Sequence, residues 1–201
     1  VNGPNVKTPE FHLVGRAASG ERDARRELFE LHREAAYRVA LRVTGRHEDA
    51  LDVVQDSFIK AFEGLGEFQH GSSFQTWLLR IVTNRALDVL RARKVRLAVS
   101  LDGNDDEPWL EVAAAGNTER PGARLEQQEL AERVQQAVES LPPEQRAVFA
   151  LYATGEMTYG QIAETVGAPI GTVMSRLYHA RRRLHRLLED LAPSGATRKD
   201  E

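Results

Sequence analysis

The sequence predicts an all-α protein: two small helical domains joined by a flexible acidic linker. Three observations carry this. Apolar residues recur at helical spacing nearly throughout, and no segment alternates as a strand does. Glycines and prolines, notably Gly20, Gly45, Gly64, Pro142-Pro143 and Gly167, break the chain at helix-length intervals. Charge is segregated behind a formal net charge of -3. Residues 80–96 hold Arg80, Arg85, Arg91, Arg93, Lys94 and Arg96 against Asp88. Residues 101–119 hold Asp102, Asp105, Asp106, Glu107, Glu111 and Glu119 with no Lys or Arg. Residues 176–186 turn basic again through Arg176, Arg181, Arg182, Arg183 and Arg186.

The elements follow in order. Residues 1–7, opening on Val1 rather than Met, are expected to be an added extension outside the fold. Thr8-Pro9 supplies an N-cap and an N1 proline for a short helix ending near Gly20. A longer helix runs from about Glu21 to Val43, closed by Gly45, with Leu28, Leu31, Ala35, Val39 and Val43 on its apolar side. A third spans about His47 to Glu63, with Leu51, Val54, Phe58 and Phe62 inward. After the loop "GLGEFQHGSSF", Ser72 and Gln75 fit a capping box for a fourth helix reaching about Lys94. The Gly-, Asn-, Asp- and Pro-rich stretch 98–122 separates a domain at 8–97 from one at 123–192. The second domain begins with a helix from about Arg124 to Ser140. Leu141-Pro142-Pro143 then leads into Glu144 to about Thr154, followed by Thr158–Val166 and Gly171–Leu191. Residues 193–201 are expected to be a disordered tail.

Composition excludes several classes. A chain of 201 residues, 41% hydrophobic and 28% charged, suits one domain or two small ones. It has no 18-residue apolar run and no leader pattern, so the expectation is a cytoplasmic protein with no membrane insertion. With no cysteine there is neither a disulfide framework nor a thiolate nucleophile. The histidines at 12, 32, 47, 70, 179 and 185 make no HxxxH or HxH pair, so no metal and no cofactor is expected.

Three faces carry candidate chemistry. On the last helix Val173, Leu177, Ala180, Leu184, Leu187 and Leu191 form one stripe, and Ser175, Tyr178, His179, Arg182 and Arg186 lie opposite. Arg176 and Arg183 flank that outward side, and Thr172 sits at its N-terminus. The short helix "TYGQIAET", with Ala163 inward and Gly167 at the turn, makes the pair a helix-turn-helix. Its second helix suits a DNA major groove, with hydroxyl, imidazole and guanidinium groups at base edges and later arginines on phosphates. Arginines that merely offset the helix dipole are the plainer alternative.

The helix beginning near Ser73 puts Phe74, Leu78, Ile81, Val82 and Val89 inside. Arg80, Asn84 and Arg91 lie on its other face, beside Thr76, Trp77 and Lys94. Cations interleaved with an amide and an aromatic suit single-stranded nucleic acid. Phe68, His70, Ser72 and Ser73 of the preceding loop offer a pocket for an unstacked base, although Trp77 equally fits a core position at a domain edge. On the helix from His47, Asp49, Asp52, Asp56 and Glu63 surround an outward Ile59. Such a ridge suits a basic protein partner, or is simply a solvated face.

Taken together, "EDALDVVQDSFIKAF", "FQHGSSFQTWLLRIVTNRALDVLR", "LPPEQRAVFALYATGEMTYGQIAETVG" and "PIGTVMSRLYHARRRL" resemble the extracytoplasmic-function (ECF, group IV) sigma factors of the bacterial sigma-70 family, over roughly residues 9–190. The resemblance implies a region 2 helical bundle and a region 4 helix-turn-helix, with no enzymatic activity and no small-molecule substrate. It implies as partners the RNA polymerase core (β′ clamp and β subunits), promoter DNA and an anti-sigma factor. Asp49, Asp52, Gln55, Asp56 and Ile59 would meet core polymerase. Phe68, Ser72, Ser73 and Asn84 would shape a pocket for a flipped minus-10 base, with Trp77 at the melted edge and Arg80 and Arg91 on the backbone. Thr172, Ser175, Arg176, Tyr178 and His179 would read the minus-35 duplex, with Arg182, Arg183 and Arg186 on phosphates. The acidic linker would run through the polymerase active-site channel. The family loop commonly reads Phe-Arg-Gly-Asp/Glu-Ser-Ser-Phe where this chain has Phe68-Gln69-His70-Gly71-Ser72-Ser73-Phe74. His179 and Met174 stand where basic residues are frequent, which alters the expected promoter preference.

Three rivals make different predictions. A stand-alone DNA-binding regulator leaves the acidic ridge and the Phe68–Phe74 loop without a role. A helical hydrolase using the third helix's carboxylates requires metal-dependent turnover. An interaction adaptor is disfavoured by the basic reading helix.

Overall fold

The structure, a computed structural model, describes residues 8–68, 72–100 and 121–189. Eight α-helices and one 3₁₀ turn account for nearly all of these, with no strand among the described residues. They are α1 (Thr8–Ala18), α2 (Arg22–Thr44), α3 (His47–Glu63), the turn Leu65–Glu67, α4 (Phe74–Ser100), α5 (Pro121–Glu139), α6 (Pro143–Tyr152), α7 (Tyr159–Val166) and α8 (Ile170–Leu187). Helix α4 runs past the expected Lys94 to Ser100, and α5 starts at Pro121 rather than near Arg124. Residues 101–120, the loop positions 69–71 with His70, the N-terminal extension and the tail lie outside the described residues, as does Leu191.

Local chemistry sets the boundaries. Gly45 takes φ 78°, and its N–H closes α2 on the Leu41 carbonyl. Glycine adopts that left-handed geometry without strain, and α3 begins two residues later. For α4 the cap is Ser73 rather than the expected Ser72: Ser73 Oγ accepts the Thr76 N–H at 3.1 Å. Pro143 opens α6, where its missing N–H costs nothing. Thr158 and Gln161 form a complete capping box on α7, Thr158 Oγ1 accepting the Gln161 N–H and Gln161 Oε1 accepting the Thr158 N–H. Gly167, at φ 63°, makes the turn into α8.

Helices α1 to α4 bundle around Leu28, Val39, Val43, Val53, Phe58, Phe74, Leu78 and Val82, all buried. The apolar side of α2 is narrower than expected, since Leu31 points to solvent. Leu51 of α3 is exposed as well, and on α8 the buried stripe ends at Leu184 because Leu187 is exposed. These corrections share a cause: each residue sits at the margin of an apolar arc that no neighbour among the described residues covers.

The buried residues of α6, α7 and α8, namely Ala147, Val148, Ala150, Leu151, Ile162, Ala163, Val173 and Leu177, join those of α2 to α4 in one continuous core. A second small cluster, Ala137, Val138, Leu141, Ala180 and Leu184, ties α5 to α8. Arg146 stitches the two groups of helices together. Its Nη1 donates to the Val43 carbonyl of α2 at 2.9 Å, and its Nη2 donates to the Leu141 carbonyl at 3.1 Å and to the Glu139 carbonyl. Only 8% exposed, it satisfies carbonyls at the ends of α2 and α5 that have no intrahelical partner. Burial lowers its pKa, yet an arginine stays charged. The fit is tight beside it: a Cβ added at Gly45 would lie 2.9 Å from Glu139 Cγ.

Candidate nucleic-acid interface

The helix-turn-helix of α7 and α8 is built as the sequence implied. Val173, Leu177, Ala180 and Leu184 fasten α8 to the core. Ser175, Tyr178, His179, Arg182, Arg183 and Arg186 are exposed, while Thr172 and Arg176 are half-buried at one edge of the outward arc. Tyr178 meets the His179 ring edge-on, with centroids 5.5 Å apart. Arg181 is turned back over the Tyr152 ring of α6, which stacks on Tyr159. Such a surface can donate hydrogen bonds to base edges near the helix N-terminus and neutralise phosphates farther along.

The face on α4 is more crowded. Phe68, Phe74 and Trp77 form an aromatic cluster, with Phe68 and Trp77 centroids 5.1 Å apart and Phe74 and Trp77 5.9 Å apart. Trp77 is therefore half-buried, its ring packed against Phe68 and Phe74. Ser72 is half-buried and Ser73 exposed; Arg80, Asn84 and Arg91 are exposed in a row, Arg91 pairing with Asp88 at 2.7 Å. Thr76 departs from its expected outward place. It is only 5% exposed, bonded to Ser73 Oγ and approached by Gln161 Nε2 of α7 at 3.5 Å. Gln75 donates to Glu156, just before α7. The first turns of α4 are thus partly covered by α7.

The acidic ridge on α3 is largely as expected. Asp52, Gln55, Asp56, Ile59 and Glu63 are exposed, and Asp49 is half-buried. Asp56 is not a free carboxylate, because Arg85 of α4 places Nε and Nη2 on its Oδ2 at 3.0 and 2.7 Å. This pair joins the acidic ridge to the α4 face. Periodicity gave no hint of it, since its members lie on different helices. No group of three or more metal-ligating side chains occurs among the described residues. No helix among them is long and apolar enough to cross a membrane.

Comparison with known proteins fits this geometry. Residues 28–96 match the family model for sigma-70 region 2 and residues 131–184 that for sigma-70 region 4. The ECF RNA polymerase sigma factor SigM of Mycobacterium tuberculosis is 34% identical, the match covering 92% of this chain and 88% of SigM. The ECF sigma factor SigE of Mycolicibacterium smegmatis is also 34% identical, over 79% of this chain and 59% of its own length. Among solved structures, the sigma factor RpoE of Bartonella quintana, in complex with the anti-sigma factor NepR, superposes with a TM-score of 0.65 at 26% identity. That match covers 82% of this chain and 96% of RpoE. With both regions matched in order on an all-helical fold, the chain belongs to the extracytoplasmic-function sigma factors of the sigma-70 family, transcription initiation factors rather than enzymes.

Proposed function

We propose that this sigma factor binds the bacterial RNA polymerase core and directs it to promoters by reading a minus-35 duplex with α8 and capturing melted minus-10 DNA on α4. The observation that carries this is the outward arc of α8. Hydroxyl, imidazole and guanidinium groups cluster there on a helix anchored by one apolar stripe, in the second position of a helix-turn-helix. On α4, Ser72, Ser73, Phe68 and Asn84 surround the place for an unstacked base, Trp77 stacks at its edge, and Arg80 and Arg91 hold the backbone. Asp49, Asp52, Gln55, Asp56 and Ile59 form the surface for the β′ clamp, an acidic ridge with an apolar centre. The acidic linker follows the polymerase channel. The division at 8–97 and 123–192 gives each DNA element its own domain, and the factor works in the cytoplasm on chromosomal DNA.

Because α7 covers the first turns of α4, two-site reading requires α6 to α8 to move off α2 and α4. Control by an anti-sigma partner fits this, as the solved RpoE is itself held by one. With no cysteine in the chain, any redox signal acts on that partner.

The deciding experiment is run-off transcription with purified core polymerase on a promoter pool, with and without the protein, sequencing the dependent transcripts. Starts that share two upstream motifs are the expected result. No dependent transcript, together with no binding to core, sinks the proposal in favour of a stand-alone regulator.

A further inference from the structure

The outward arc of α8 has two unlike shoulders. One carries Thr172, Arg176 and Arg183. The other carries Ile170, Met174 and Tyr178, which follow one another at four-residue steps of about 6 Å and so lie along one side of the helix. These three are 51%, 54% and 60% exposed. Large apolar side chains left in water on successive turns favour a ligand that covers them.

Their surroundings say which ligand. Ser175, His179 and Arg182 run between the two shoulders and are exposed, with Arg183 and Arg186 beyond. A wholly apolar protein groove laid on this strip would desolvate those cations without pairing them. The DNA major groove instead offers phosphates to the cations and, on one base, an apolar edge: the C5-methyl group of thymine. Arg181, the next cation on the apolar shoulder, is held over Tyr152 and so leaves the strip apolar. The Tyr178 ring is steadied edge-on by His179. Met174 is unbranched and polarisable, suited to settling against a methyl group on a base edge.

We propose that Met174, with Tyr178 beside it, reads thymine C5-methyl groups in the minus-35 duplex, while Arg176 on the opposite shoulder reads a guanine. The inference rests on the assignment of α8 to duplex DNA. It makes the preference of this chain for thymine on one strand a property of an apolar shoulder rather than of a hydrogen bond.

The test uses the full chain and a duplex recovered from random DNA by repeated selection on that chain. Each thymine of the selected site is replaced in turn by deoxyuridine, which removes only the methyl group. Wild type is expected to bind about fourfold more weakly at one or two positions, the worth of one buried methyl. Met174→Ala is expected to lose that sensitivity at one of them, and Met174→Leu to keep it. Binding unchanged by every replacement overturns the proposal, as does a Met174→Ala chain with the full wild-type sensitivity. Both outcomes leave the selected site, and so the DNA assignment, intact. If the chain selects no sequence at all, the DNA assignment itself fails and the methyl reading falls with it.

Discussion

Helices α4 and α8 are both long and rich in arginine, but they are wrapped differently. On α8 a single stripe is buried, and the groups assigned to DNA already face water or the edge of the arc. On α4 two stripes are buried. Phe74, Leu78 and Val82 lie on the expected side, and Thr76, Leu79, Thr83 and Ala86 make a second, where α6 and α7 also pack on the helix. A helix held along one stripe presents its reading face as folded. A helix held along two presents all of it only after one cover leaves.

The sharpest way to break this comparison is to lock the cover in place. With no native cysteine, Gln75→Cys with Glu156→Cys creates one unique pair across the cover, where the native side chains touch, and a short thiol-to-thiol crosslinker with a cleavable disulfide bridges it. The bridged protein is expected to lose nearly all core-dependent transcription, while still binding the minus-35 duplex through α8. Reductant should restore activity. A bridged chain that transcribes as well as the unbridged one shows that the cover does not matter.

Next in size is Arg146→Ala, which strands carbonyls of Val43, Glu139 and Leu141 in a buried setting. A loss of about 3 kcal/mol in urea unfolding is expected. Loss of only a few tenths would mean that water replaces the guanidinium. Arg176→Ala should then cost about 1 to 3 kcal/mol at one minus-35 position, whereas Arg186→Ala weakens all sequences alike, both measured by binding across promoter variants. Equal losses on every variant would refute the division between base-reading and phosphate roles. The smallest effects are at the caps. Ser73→Ala and Thr158→Ala should each cost about 1 kcal/mol in thermal unfolding. The two losses should be alike, because each hydroxyl accepts one backbone N–H and bonds one side chain, while the Thr158 N–H keeps its bond to Gln161 Oε1.

What could be read from the sequence follows the same contrast. The stripe on α8, the turn at Gly167 and the cap at Thr158 are local, and local spacing finds them. The second stripe on α4 mixes threonines with Leu79 and Ala86, so its polarity masks it in the sequence. Arg85 with Asp56, Gln161 with Thr76 and Arg146 with Val43 are pairs across different helices, which periodicity does not relate. Leu31, Leu51 and Leu187 show the opposite error, since apolar spacing continues past the point where a neighbour covers it.

Arg146 also couples the halves of the molecule. One guanidinium serves the end of α2 and the turn from α5 to α6, so a ligand that parts these helices breaks the same buried bonds whichever end it binds. An inhibitor therefore has no need to touch a single reading residue. A clasp laid across the Gly45 turn and the end of α5 would keep the α4 face covered while α8 still held its duplex, and the polymerase would have to outbid it in affinity rather than in shape.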